Sequence, residues 1–268
     1  MIGRAVGHSF ITARDALARR LIRLGVSPNA LTVVGMVLTA AAGLCYAVAA
    51  GSGFAWSLDP AADESAYLLL AGVLMVLASA CDMLDGAVAR LGNRKTNFGA
   101  FLDSTVDRYS DFVVYAGIAA YYAWQTPANV TFVMLCMMAF FNALMISYTK
   151  ARAEDIIESC RVGYWQRGER SAAILIGTFS GNIPAMVCQQ ATLPLLTVLR
   201  RIAYTKAVIA GKNPVVDPRK GGGLWLKMRL WRWPRMTVPY DIVTGLNIAY
   251  LIFAPVPAAD IIRRWLGG

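Results

Sequence analysis

Between residues 27 and 205 the chain alternates long apolar runs with short polar breaks. Ser27-Pro28-Asn29 reads as a helix start, with serine as N-cap and proline in the first turn. Apolar helices are expected over 30–50, 66–90, 98–124 and 130–150, the last continuing as a polar helix to Ile157. Each approaches or exceeds the roughly 20 residues that a helix needs to cross hydrocarbon. The breaks at 51–64, 91–97, 125–129 and 158–169 are polar. A further apolar stretch, 171–199, is interrupted at Gly181-Asn182-Ile183-Pro184. Ahead of these runs, 1–26 combines Arg4, Arg14, Arg19, Arg20 and Arg23 with Phe10, Ile11, Leu17, Leu21, Ile22 and Leu24. That mixture suits an amphipathic helix on a membrane surface, and without an apolar core before a cleavage site it does not read as a signal peptide.

The positions of the cations orient these runs. The N-terminal arm and the breaks at 91–97 and 150–170 are basic, whereas 51–64 and 125–129 carry no Lys or Arg. Cytoplasmic loops are enriched in Lys and Arg, so the N-terminus and both basic breaks are expected on the cytoplasmic side of the inner membrane. The stretch 200–235 holds ten Lys or Arg and one acid, Asp217. A single crossing over 171–199 would put it outside. A return at 181–185, with the second helix running past Arg201, keeps it inside and makes six spans by Tyr204. The expected fold is all-α: a six-helix membrane bundle at 27–205, an amphipathic arm at 1–26, and a basic interfacial extension at 206–268. In that extension 221–233 mixes Trp with Lys and Arg, as a membrane-docking segment does, and 238–262 is either a seventh crossing or a half-buried helix.

Composition supports this reading. Of 268 residues 57% are hydrophobic and 16% charged, too few charges for a soluble surface. The net charge of +10 fits basic loops beside anionic lipid rather than nucleic acid. Cys45, Cys81, Cys136, Cys160 and Cys188 are too scattered for a zinc or redox motif and read as packing residues. With His8 the only histidine, metal chemistry here would need oxygen ligands and a hard cation, Mg²⁺, Mn²⁺ or Ca²⁺.

Carboxylates inside hydrocarbon-length helices are the informative feature. Asp82 and Asp85 are three apart near the end of the second run, and Asp103 and Asp107 are four apart near the start of the third. Each pair shares a helix face. Asp85 lies six residues before Leu91 and Asp103 six after Asn97, so both sit about 9 Å from one short connection. Each buried acid costs roughly 2.5–3.5 kcal/mol at a membrane centre. Two divalent cations shared among the four would offset that cost, as in two-metal phosphoryl-transfer sites. Gly86, Ala89 and Gly99 would let a ligand approach, although small residues equally serve helix packing, and Arg90 adds a cation at the mouth. Asp111 can pair with Arg108.

From Asp82 the spacing is D-x2-D-G-x2-A-R-x8-G-x3-D-x3-D. It resembles, without departure, the signature of the CDP-alcohol phosphotransferase family, whose six-span fold would cover about 27–204. The resemblance implies that Asp82, Asp85, Asp103 and Asp107 hold two Mg²⁺ or Mn²⁺ ions. It implies that Asp107 is the general base, and that Asp82, Asp85, Gly86, Ala89, Arg90 and Gly99 line the cytidine diphosphate site. The implied reaction is attack of an acceptor alkoxide on the β-phosphorus of CDP-diacylglycerol or a similar CDP-alcohol, with CMP leaving. The family is usually homodimeric.

A second basic group bears on the acceptor: Lys150 and Arg152 after the fourth run, Arg167 and Arg170 before the fifth, and Arg201. It suits a small phosphorylated polyol, or it is ordinary loop charge. Ser147-Tyr148-Thr149-Lys150-Ala151-Arg152-Ala153-Glu154 with Glu169-Arg170 most resembles the branch of the family that transfers to inositol phosphate. Gln166-Arg167-Gly168-Glu169-Arg170 departs from the Glu-Arg-Pro-Glu-Arg often found there. Glycerol 3-phosphate is the rival acceptor, and an ion-coupled intramembrane transporter is the rival class.

Overall fold

The structure is a computed structural model that describes residues 2–54, 63–211, 231, 233, 235 and 237–267, with 2–10 and 266–267 described as backbone alone. Its helices are α1 (Ile2–Arg23), α2 (Pro28–Ala49), α3 (Ala66–Leu91), α4 (Asn97–Trp124), α5 (Val130–Glu154), α6 (Arg167–Phe179), α7 (Ile183–Thr192), α8 (Pro194–Ile209), α9 (Val238–Phe253) and α10 (Ile261–Gly267).

Local chemistry sets the starts. Ser27, Ser65, Thr96, Asn129 and Asn182 each accept a hydrogen bond from an early backbone N–H of α2, α3, α4, α5 and α7, satisfying donors that a helix leaves orphaned. α2, α3 and α5 are long and apolar enough to cross a membrane. α4 has 28 residues, but its N-terminal stretch to residue 111 carries Asp103, Asp107, Arg108 and Asp111. The chain is a membrane protein, and many of its large exposed apolar side chains, such as Leu44, Val37 and Met137, lie on these helices.

The core is built around Tyr46, Leu68, Ile118, Ile183 and Met186, contributed by α2, α3, α4 and α7. The backbones of α2 and α4 touch: a Cβ on Gly117 would overlap the Gly43 carbonyl. A second cluster joins Ala18 of α1 to Leu31, Leu84, Ala87 and Val88, which seats α1 against the same end of α2 and α3 that carries the acids. Cys45, Cys136 and Cys160 are buried and all five cysteines are free. Burial raises the Cys160 thiol above its ordinary pKa, so it stays protonated at neutral pH.

Three expectations change. α5 ends at Glu154, not Ile157, because the Ala153 carbonyl takes the N–H groups of both Ile156 and Ile157 and the Glu154 carboxylate takes that of Cys160. The break after α6 is where expected: Gly181 is left-handed at φ +69 and Asn182 N–H bonds back to Gly177 O at 2.9 Å, closing a Schellman turn. The chain then reverses, and Arg201 of α8 returns to Gln166 beside the start of α6. The returning helix, however, is split at Leu193. Pro194 has no N–H for the Gln190 carbonyl, and the Asn142 amide of α5 donates to Gln190 O and Ala191 O instead. Asp111 pairs with Arg170 at 2.9 Å rather than with Arg108, whose guanidinium turns back to the Ser104 carbonyl.

The C-terminal part is a second layer. α9 lies on α6 and α7, with Asn182 and Ser180 donating to its Leu251 carbonyl, Gln189 bonded to Asn247 and Tyr164 to Thr244. Pro255 and Pro257 end it, and Asp260 then accepts from Val130 N, Thr131 N and the Thr131 hydroxyl at the start of α5. The Trp-rich stretch expected at 221–233 lies outside the described residues, apart from Trp231 and Trp233.

Candidate functional site

The hairpin of α3 and α4 brings the acids together. Gly92 and Arg94 N–H close the end of α3 onto Val88 O and Ala89 O, and Thr96 caps α4 through Gly99 N at 2.9 Å. That tight connection makes the helices antiparallel, so residues equally far from it face one another. Asp82, Asp85 and Asp103 each present a carboxylate oxygen within 4.8 Å of the others. Asp107, one turn further along α4, is tied to the group by Arg167, whose Nη1 bonds Asp82 Oδ1 at 2.8 Å and also Asp107 Oδ2.

The four acids differ in exposure. The Asp82 side chain is 42% exposed and that of Asp107 15%, whereas Asp85 is 6% exposed. Asp85 survives burial because the Thr32 hydroxyl of α2 donates to its Oδ2 at 2.7 Å. Sequence reading passed over Thr32, and the available signal was weak: a threonine one turn into an apolar helix. The buried Asp103 Oδ1 has no hydrogen-bond partner among the described residues. Oxygen-only donors, a partnerless buried carboxylate oxygen and close spacing are what a hard divalent cation requires. Behind the acids lies a cavity of about 60 Å³ between α2, α3, α4 and α6, reaching Thr39, Ser110 and Asp111.

The small residues fall around this centre. Gly86 leaves room for the exposed Arg90, since a Cβ there would sit 3.1 Å from its guanidinium. Ala89 is half-buried at the same end of α3. Gly99 is close to Thr96 and Asn29, so its lack of a side chain lets the starts of α2 and α4 meet. The five basic residues do not gather as one group. Arg167 is at the acids. Arg170 is 3% exposed, pairs with Asp111, and keeps Nε and Nη1 without partners among the described residues. Arg201 is buried and held by Ile146 O, Val162 O and Gln166 Oε1. Arg152 makes an exposed ion pair with Asp155 at 3.1 Å, and Lys150 lies half-buried on α5.

The model of the CDP-alcohol phosphatidyltransferase family matches residues 25–210, all of α2 to α8. The chain belongs to that family. It is therefore a transferase, and its donor class is a CDP-alcohol. α1 and everything after α8 lie outside the match. The chain is 35% identical over 210 residues to archaetidylinositol phosphate synthase of Methanothermobacter thermautotrophicus, covering 74% of this chain and 95% of that one. It is 33% identical over 185 residues to phosphatidylinositol phosphate synthase of Mycobacteroides abscessus, covering 68% and 76%. Crystal structures of the Mycobacterium tuberculosis phosphatidylinositol phosphate synthase are similar in fold. The one with CDP-DAG bound has a TM-score of 0.59 at 26% identity over 72% of this chain and 92% of that one. The one with manganese and citrate has 0.61 at 25% identity over 79% and 97%.

Proposed function

We propose that this transferase moves the phosphatidyl group of CDP-diacylglycerol, or a similar CDP-alcohol, to a hydroxyl of inositol phosphate and releases CMP. The observation that carries the reading is the carboxylate cluster of the α3–α4 hairpin: three acids within 4.8 Å and a fourth tied to them through Arg167. The names of the relatives favour inositol phosphate over glycerol 3-phosphate as acceptor. A transporter would not need a CDP-alcohol signature around its acids.

Asp82, Asp85, Asp103 and Asp107 would hold two divalent cations, Mg²⁺ or Mn²⁺, and manganese in the similar crystal structure supports this. When bound, such cations neutralise pyrophosphate charge and polarise the bond to the leaving CMP. Asp107 takes the proton of the acceptor hydroxyl. The oxygen so freed attacks the β-phosphorus, a new O–P bond forms, and the P–O bond to CMP breaks with its electron pair leaving on CMP. Gly86, Ala89, Arg90 and Gly99 line the cytidine diphosphate end together with Asp82 and Asp85. Arg167 beside the acids and Arg170 one turn on attract the acceptor phosphate, a role that Nε and Nη1 of Arg170, without partners among the described residues, support. Lys150 and Arg152 stand apart on α5 and add only general positive charge. Arg201, bonded to two carbonyls, contributes by fixing Gln166 beside Arg167.

In this reading the chain crosses six times, through α2, α3, α4, α5, α6 and the broken α7–α8 unit, and the length and apolar character of α2, α3 and α5 support it. The distribution of Lys and Arg puts the acid end at the cytoplasmic face of the inner membrane. α1, packed on that end with Ile11 and Leu17 exposed, lies at the interface, and two copies form a homodimer. The test is CMP release from CDP-diacylglycerol with Mg²⁺ or Mn²⁺, offering inositol 1-phosphate or glycerol 3-phosphate. Release with inositol 1-phosphate alone, lost by about 10²–10⁴-fold in Asp107→Asn, is expected. Release with glycerol 3-phosphate alone would reassign the acceptor, and full activity in Asp107→Asn would remove the base.

A further inference from the structure

The extension beyond the family match makes short polar contacts at the first turn of α6. Glu169, the third residue of α6, has a side chain 7% exposed. Its Oε1 accepts from Arg235 Nε at 2.9 Å and from the Tyr240 hydroxyl at 2.6 Å, while its Oε2 accepts from Gln166 N at 3.2 Å. Gln166 is the N-cap of α6 and is itself held on the opposite side by Arg201 at 2.9 Å and the Gly163 carbonyl at 2.8 Å. The residue between Gln166 and Gly168 is Arg167, which reaches Asp82 and Asp107. Arg170, one turn on, reaches Asp111.

We infer that the C-terminal extension is a strap that positions the start of α6, and through it Arg167, at the acid cluster, with Glu169, Arg235 and Tyr240 as its positioning residues. The inference rests on the transferase reading above for what Arg167 does there. Three observations carry it. A carboxylate buried this deeply must be partnered, and two of its partners come from the extension. The residue at 168 is glycine, and a Cβ there would lie 3.0 Å from the Arg235 guanidinium, so its bare backbone leaves the space that the strap's arginine occupies. The strap's described stretch from Tyr240 to Ala254 is also anchored: Tyr164 packs on Tyr240 at 5.4 Å and bonds Thr244 at 3.0 Å, and Asn182 bonds Leu251 and Ala254. α6 has only 13 residues, so a loosened first turn has little helix to hold it.

Full-length protein in mixed micelles tests this through kcat and KM for each substrate and through hydrogen exchange. Arg235→Ala and Tyr240→Phe are expected to raise KM for inositol phosphate on the order of tenfold, leave KM for CDP-diacylglycerol unchanged, and speed exchange at the first-turn amides of α6. Arg235→Lys should restore most of the loss. In an Arg167→Lys background Arg235→Ala should cost much less, because the strap acts chiefly through Arg167. An equal fractional loss in that background, or unchanged acceptor kinetics, would overturn the strap. If the unaltered protein released no CMP, the transferase reading would fall, and hydrogen exchange alone would decide whether the extension holds α6: unchanged protection would overturn it.

Discussion

Replacing Thr32 by valine removes one hydroxyl and almost no volume, which isolates the hydrogen bond that Asp85 receives from α2. Thr32 is 8% and Asp85 6% exposed, so little water is at hand to replace the donor. The hydroxyl has one proton and two acceptors in reach, Asp85 Oδ2 at 2.7 Å and Pro28 O at 3.2 Å. The shorter contact, to a charged oxygen, takes the proton. A hydrogen bond to a charged group is worth about 1.5–3 kcal/mol, equivalent to roughly a 10- to 150-fold change in an equilibrium. Loss of a group that orients a metal ligand typically costs about 10–100-fold in metal affinity, the same range from separate reasoning. The assay is a Mn²⁺ titration of the purified protein, read by the paramagnetic signal of free Mn²⁺ and by CMP release. Thr32→Val should move both midpoints to about 10–100-fold higher Mn²⁺, and Thr32→Ser should stay near the unaltered protein. If Thr32→Val bound Mn²⁺ with unchanged midpoint, Asp85 would not be a metal ligand oriented from α2.

The other consequences concern the scaffold. Arg170→Met leaves the mostly buried Asp111 at the cavity wall without its partner and should cost up to about 3–5 kcal/mol in unfolding, whereas the double change Arg170→Met with Asp111→Leu should recover most of that, as thermal unfolding in detergent would show. Gly117→Ala drives a methyl into the Gly43 carbonyl; the α2–α4 contact should loosen at about 1–3 kcal/mol, and an unchanged unfolding midpoint would disprove the close approach. Asn142→Leu leaves the Gln190 and Ala191 carbonyls without their donor and should cost about 1–3 kcal/mol, detected as faster exchange around Leu193.

The acid centre was legible because it depends on near neighbours in sequence. Helical periodicity places Asp82 with Asp85 and Asp103 with Asp107, and a short connection forces the two helices to face each other at equal depth. The helix start at Ser27 was legible for the same reason, since it caps through a bond spanning three residues. Wherever a residue's role depends on a partner far away in the chain, the sequence was silent. Thr32 meets Asp85 across 53 positions, Arg167 meets Asp82 across 85, and Arg170 meets Asp111 across 59. Arg201 carries the same charge as Arg167, yet packing against Ile146 and Val162 turned it into a brace. Basic composition could say that cations gather near one face. Only the tertiary structure decided which of them reach the acids, because a guanidinium buried in a helical bundle takes whatever acceptor the packing of distant segments brings within about 3 Å.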